Sequence, residues 1–136
     1  MARLSILIVV LLGSCAPFPE IFRRNAFQIP ERPREVEGRL TDPVRPDAQL
    51  AALWVGHATV LVQMGDRQIL TDPVFVHRVG QLSPRIVEPG LLLEHVPAID
   101  ACLISHMHFD HLSLSSLDLL EARIGHLFVP GGALVY

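Results

Sequence analysis

Ser105, His106, Met107, His108, Phe109, Asp110 and His111 follow one another without a break, and this run constrains the fold more than any other feature. It holds three of the seven histidines. The residues before it, 101–104, are small or aliphatic, as in a buried strand. Those after it, 113–123, place Leu114, Leu117, Leu120 and then Ile124 at helical spacing. The polar run therefore sits at a strand-to-helix junction. Imidazole and carboxylate are the usual nitrogen and oxygen ligands of zinc and similar ions. Alternate residues of an extended segment share a side, so His106 and His108 can face one ion. Where the chain turns into the helix, Asp110 and His111 are re-aimed and can face a second. The competing reading is a solvated histidine-rich turn. Apolar Met107 and Phe109, alternating with the polar residues, argue instead for an anchored loop.

From Leu50 onward, short aliphatic and β-branched runs alternate with turn signals. Strands are predicted at 52–55, 59–63, 68–71, 101–104 and 127–129, with Gly65 and Asp66 as a tight II′ turn between the second and third. A helix over 113–123 would start at a capping box formed by Ser115 and Asp118 and stop at Gly125. The stretch 74–97 is a long connection. With 136 residues, half of them hydrophobic and 18% charged, the chain has room for one domain with a real core. The net charge is −3 and no basic run occurs, which excludes the electrostatic footprint of a nucleic-acid binder.

The first fifty residues follow another plan. Arg3 is the only charge before the apolar run from Leu4 to Leu12, and Gly13, Ser14 and Cys15 follow. The run is too short to cross a hydrocarbon core, which takes about 20 helical residues. It is built like an export signal over 1–14. Leu12-Gly13-Ser14-Cys15 resembles a bacterial lipobox, which implies cleavage before Cys15, lipidation of that cysteine and anchoring in the cell envelope. An ordinary cleaved signal is the alternative. Residues 15–49 are rich in proline, including Pro17, Pro19, Pro30, Pro33, Pro43 and Pro46. They read as a semi-extended tether, or else as an irregular arm packed on a domain that occupies 50–136.

The strand, the pattern His106-x-His108-x-Asp110-His111 and the helix together resemble the signature of the metallo-β-lactamase superfamily. Three flanking stretches resemble the branch containing the phospholipase D that hydrolyses N-acylphosphatidylethanolamine. They are Trp54-Val55-Gly56-His57-Ala58-Thr59-Val60-Leu61-Val62, Leu70-Thr71-Asp72-Pro73-Val74-Phe75, and Pro97-Ala98-Ile99-Asp100-Ala101-Cys102-Leu103-Ile104-Ser105-His106. The resemblance implies an α+β fold, the αββα sandwich, of which this chain supplies the first sheet and first helix. It also implies two zinc ions. His106 and His108 would belong to the first, and Asp110, expected to take a direct part in catalysis, would belong with His111 to the second. Asp72 would support the metal loop without being a principal ligand, the alternative being an Asp-Pro turn starter. His57 would lie near the site mouth or under the metal loop, or be a buried structural histidine.

The implied reaction is zinc-assisted attack of water on a phosphodiester, with a phospholipid as the favoured substrate and the membrane reached through the lipid anchor. A superfamily hydrolase for a lactone, a β-lactam or a sugar phosphate shares these motifs. A non-catalytic metal-binding lipoprotein is the competing class. The family's later ligands, a further histidine on the first zinc, a bridging acidic residue and a last histidine, have no counterpart before Tyr136. The chain is thus expected to be a truncated domain, inactive alone, with apolar sheet surface left open. His77, His95 and His126 match no ligand position. Cys102 reads as a small core residue.

Overall fold

The computed structural model describes residues 32–80 and 83–133. Its centre is a five-stranded sheet in the order β1-β2-β3-β6-β7, built from β1 (Leu50–Gly56), β2 (Thr59–Met64), β3 (Arg67–Thr71), β6 (Ile99–Leu103) and β7 (Ile124–Phe128). A small hairpin of β4 (Arg78–Val79) and β5 (Ser83–Pro84) lies in the long connection, and α1 (Leu114–Leu120) joins β6 to β7. The first three strands are antiparallel, whereas β3, β6 and β7 run parallel. The two-residue turn between Met64 and Arg67 has Gly65 at φ +61°, the left-handed conformation required of the first residue of a II′ turn.

Register separates the two faces. Leu53, Leu61, Leu70 and Cys102 form one row across the sheet, and the last three are buried. Those three make the core with Val55, Leu91, Val96, Ile99, Ile104, Leu112 and Leu120, and Leu53 packs against it, so α1 and the preceding loop cover this face. The next row, Trp54, Val60, Thr71, Leu103 and Phe128, belongs to the opposite face, where Trp54 is 69% and Phe128 55% exposed. One side of the sheet is thus layered with helix, and the other presents apolar side chains to solvent, as one half of a sandwich would.

The helical turns occupy the expected stretch, from the Ser113 cap to Arg123, but the signals that bound them differ from the sequence reading at both ends. The N-cap of α1 is Ser113, whose hydroxyl accepts from the Ser116 amide, so Ser115 and Asp118 form no capping box. The reason lies upstream. The amides of His111 and Leu112 both donate to the His108 carbonyl, so the chain is already curled when it reaches Ser113. At the other end the coil tightens into a 3₁₀ turn, Glu121–Arg123, and Gly125 lies inside β7 instead of closing the helix. A Cβ there would stand 3.2 Å from the Asp100 carbonyl oxygen and 3.3 Å from that of Ile99, so the glycine is used for close strand approach.

The chain from Pro33 onward groups into one compact unit. Arg34 pairs with the 86–88 segment, its amide donating to the Ile86 carbonyl and its carbonyl accepting from the Glu88 amide. Buried Gln63 accepts from the Arg45 amide and donates to the carbonyls of Arg45, Ala48 and Gly65. The latter part of the proline-rich stretch, 33–49, is therefore an arm packed on the domain, because its backbone finds hydrogen-bond partners there that a free tether would take from water. The signal over 1–14, Cys15 and the rest of the stretch to residue 31 lie outside the described residues.

Candidate metal centre

Asp72 organises the site. The chain leaves β3 at Thr71 and turns at Asp72 with φ +37°, a conformation rare outside glycine and retained where surroundings enforce it. The Asp72 amide donates to the Leu103 carbonyl at 2.9 Å, extending the pairing of β3 with β6. The fully buried Thr59 hydroxyl donates to the Asp72 carbonyl at 2.8 Å and accepts from the Val74 amide at 3.0 Å. So fixed, the carboxylate accepts from both the amide and the hydroxyl of Ser105, each at 2.7 Å, and from His111 Nδ1 at 3.0 Å. Burial by itself raises the pKa of Asp72. The hydrogen bond with His111, followed by those from Ser105, outweighs it and holds the carboxyl below its ordinary value.

This network orients the imidazoles. A carboxylate only accepts, so His111 Nδ1 carries the proton and Nε2 keeps its lone pair. The Ser105 hydroxyl gives its proton to Asp72 and accepts from His106 Nδ1 at 2.9 Å, which leaves the lone pair of the neutral His106 ring on Nε2, facing His108 Nδ1 at 3.1 Å. Asp72 thus sets the tautomer of one histidine directly and of the other through Ser105. Partners of this kind fix ring orientation in metal sites and raise ligand basicity.

Two groups of donor atoms result. His106 Nε2 and His108 Nδ1 lie 3.1 Å apart. Asp110 Oδ2 lies 3.7 Å from His111 Nε2 and 3.3 Å from His57 Nε2, and His57, Asp110 and His111 each offer a ligand atom within 4.8 Å of the others. Bonds of 2.0–2.1 Å to tetrahedral zinc put neighbouring ligand atoms about 3.3 Å apart, so both groups have the right chemistry and span for a divalent ion. The groups adjoin, with the rings of His106 and His111 4.0 Å between centroids.

His57 is the exposed residue at φ +52° in the β1–β2 turn, not a buried structural histidine. A glycine-histidine turn in the sequence gives no sign that it reaches a loop fifty residues later. Ser105 and Thr59 were likewise legible as motif letters but not as parts of the network. Met107 packs against the core, whereas Phe109 is 44% exposed and does not anchor the loop inward. It lines an open hollow of about 550 Å³ with Val76, His77, Arg78 and Leu114. His126, on β7, faces the Asp100 carbonyl at 3.3 Å, and His95 lies in the 3₁₀ turn Leu93–His95. Cys102 is free and buried, and burial pushes its thiol up to about 12.

Residues 67–135, just over half of the chain, match the family described as the beta-lactamase superfamily domain, and the chain belongs to that family. It is similar to an uncharacterized protein of Mycobacterium tuberculosis, 40% identical over 91 residues that make up 63% of this chain and 24% of that protein. It is also similar to N-acyl-phosphatidylethanolamine-hydrolyzing phospholipase D 1 of Caenorhabditis elegans, 36% identical over 80 residues, 56% of this chain and 22% of that enzyme. Among solved structures it is similar to CmlA, a diiron beta-hydroxylase from Streptomyces venezuelae, with a TM-score of 0.48 and 28% identity over 62% of this chain and 16% of that one. The chain spans under a quarter of the length of these curated relatives.

Proposed function

We propose that this chain carries the metal-binding part of a zinc-dependent hydrolase, a phosphodiesterase of phospholipase D type acting on N-acylphosphatidylethanolamine-like lipids. The observation that carries the reading is the convergence of His106, His108, Asp110 and His111 behind the Asp72–Ser105 network. His106 and His108 hold one ion, Asp110 and His111 the other. When bound, such ions lower the pKa of a coordinated water and stabilise the oxyanion charge of the transition state. The chain's own contribution is orientation. Asp72 and Ser105 place the proton of the neutral His111 and His106 rings on Nδ1 and so aim Nε2 at the ion, and Asp110 brings negative charge to the reacting centre.

The relative's name as a phospholipase D supports a phospholipid substrate. So does the hollow beside Phe109, whose Gly80 lies close to Asp110, a Cβ on it standing 3.7 Å from the Asp110 Cβ. Apolar Val76, Phe109 and Leu114 beside His77 and Arg78 suit an acyl chain next to a phosphate. Export and lipidation at Cys15 would hold the protein in a bacterial envelope beside such lipids. With so few protein donors per ion among the described residues, we propose that they are a poor catalyst by themselves.

The test is hydrolysis by the gene product as its host makes it, in zinc. It is offered N-acylphosphatidylethanolamine in mixed micelles, bis(p-nitrophenyl) phosphate, a lactone and a β-lactam. Release of N-acylethanolamine and phosphatidic acid, abolished in His108→Ala, supports the proposal. Turnover of the lactone or β-lactam alone, or zinc binding with no turnover of any of the four, overturns it.

A further inference from the structure

We infer that His57 is a metal ligand, closing with Asp110 and His111 a three-residue site that takes up the first divalent ion while His106 and His108 take the second. This rests on the proposed metal centre but not on its substrate or reaction. Counted along the motif, the two ions are equivalent, each with two protein donors. The tertiary structure breaks that symmetry, because His57 Nε2 stands 3.3 Å from Asp110 Oδ2 and no such third side chain accompanies His106 and His108 among the described residues. Three protein ligands with one open position is the usual composition of a reactive zinc site, whereas two leave half the shell to water. The group with His57 also carries the carboxylate, which offsets more of the cation's charge.

The turn that presents His57 is built for the purpose and at a cost to itself. Gly56 has φ +137° and His57 φ +52°, at an irregularity where β1 slips register between Trp54 and Gly56. A histidine in the left-handed region is strained where glycine would not be. The turn is held by the indole of Trp54, whose Nε1 donates to the His57 carbonyl at 2.9 Å. That bond uses the backbone of residue 57 and leaves its ring free. Since glycine would satisfy both the conformation and the hydrogen bond, neither explains an imidazole here. The ring is explained by what it reaches, Asp110 and His111, its centroid 5.6 Å from that of His111.

Two roles compete for the ring, a metal ligand and an ion pair with Asp110. His57→Gly separates them, because it removes the imidazole and keeps the turn. The full chain and the variants His57→Gly, Asp110→Asn and His106→Ala are titrated at fixed pH with zinc against a chromogenic chelator, and with cobalt(II) followed by its visible absorption. Thermal unfolding is recorded with and without zinc.

The first zinc equivalent should weaken by roughly 100-fold or more in His57→Gly and in Asp110→Asn, since loss of a ligand exceeds the 10–100-fold typical of a lost supporting partner. His106→Ala should chiefly weaken the second equivalent. Without metal, His57→Gly should melt no lower than wild type, and it should lose the rise in Tm that zinc gives wild type. Unchanged first-equivalent affinity in His57→Gly overturns the inference. So does a lower metal-free Tm with unchanged affinity, which is the signature of an ion pair. Equal weakening of the first equivalent in His57→Gly and His106→Ala overturns the order of filling. A protein that shows this binding pattern but hydrolyses no phosphodiester leaves the inference standing and refutes only the proposed function.

Discussion

Asp72→Asn is the most informative single change, because it keeps shape and backbone while reversing the chemistry. Asparagine tolerates the positive φ of +37°, so the turn after β3 survives. One amide oxygen can still accept from the Ser105 N–H, now at 2.7 Å. The NH₂ group then replaces the oxygen that accepts from the Ser105 hydroxyl and from His111 Nδ1. A donor now faces two donors. Relief requires His111 to move its proton from Nδ1 to Nε2, which removes the lone pair a metal needs. It also requires Ser105 to rotate its hydroxyl, which releases His106.

Hydrogen bonds to a charged group are worth about 1.5–3 kcal/mol each, and loss of two offset by partial re-pairing predicts a destabilisation of about 2–3 kcal/mol. Zinc affinity should fall by about 10–100-fold, the usual effect of losing the partner of a metal-bound histidine. Chelator competition measures the affinity, and long-range ¹⁵N correlation spectra of the imidazoles report the tautomers. The pH dependence follows from the same bonds. The Asp72 pKa is lower folded than unfolded, so its stabilisation is complete above the ordinary carboxylate value of about 3.9 and is lost as pH falls through the folded value. Asp72→Asn should therefore flatten the acid limb of the stability curve. A variant that binds zinc as tightly as wild type, with the His111 proton still on Nδ1, would refute this account of the site.

Gly125→Ala should lower stability by about 1–3 kcal/mol, as overpacking does, because the added Cβ would meet two backbone oxygens at 3.2 and 3.3 Å; chemical denaturation measures it. Cys102, with its thiol pushed up to about 12 by burial, should resist alkylation at pH 8 in the native chain and react once the chain is unfolded. Because its folded pKa is raised from 9.0, its contribution is intact below that value and declines as pH rises beyond it, so alkaline unfolding should come earlier than in Cys102→Ala. Cys15→Ser should move the protein from the membrane fraction to the soluble one and abolish the mass increment of a lipid; an unmodified soluble wild type would refute the anchor.

Most of the strands could be placed from the sequence because alternation of aliphatic and polar residues is a local pattern, and a half-buried sheet imposes it directly. The run from Ser105 to His111 stands out as a candidate metal-binding segment for a similar reason, since ligand chemistry and the strand-to-helix switch lie within one short segment. The helix itself falls where the sequence puts it, but Ser113 and Ser115 are equally good caps on paper, and the choice between them is made by the curl at His108, which depends on how the loop is held. Gly125 could be read as a stop or as a place of close approach, and only the Asp100 and Ile99 carbonyls decide between them.

The same distinction runs through the site. The sequence by itself determined which residues could bind a metal and the element that carries four of them. Tertiary structure alone decided that Asp72 and Ser105 hold the protons of His111 and His106, and that His57 stands beside Asp110. Those relations join β1, β3 and the loop after β6. They are fixed by sheet register and by left-handed backbone at His57 and Asp72, neither of which has a local signature in the sequence.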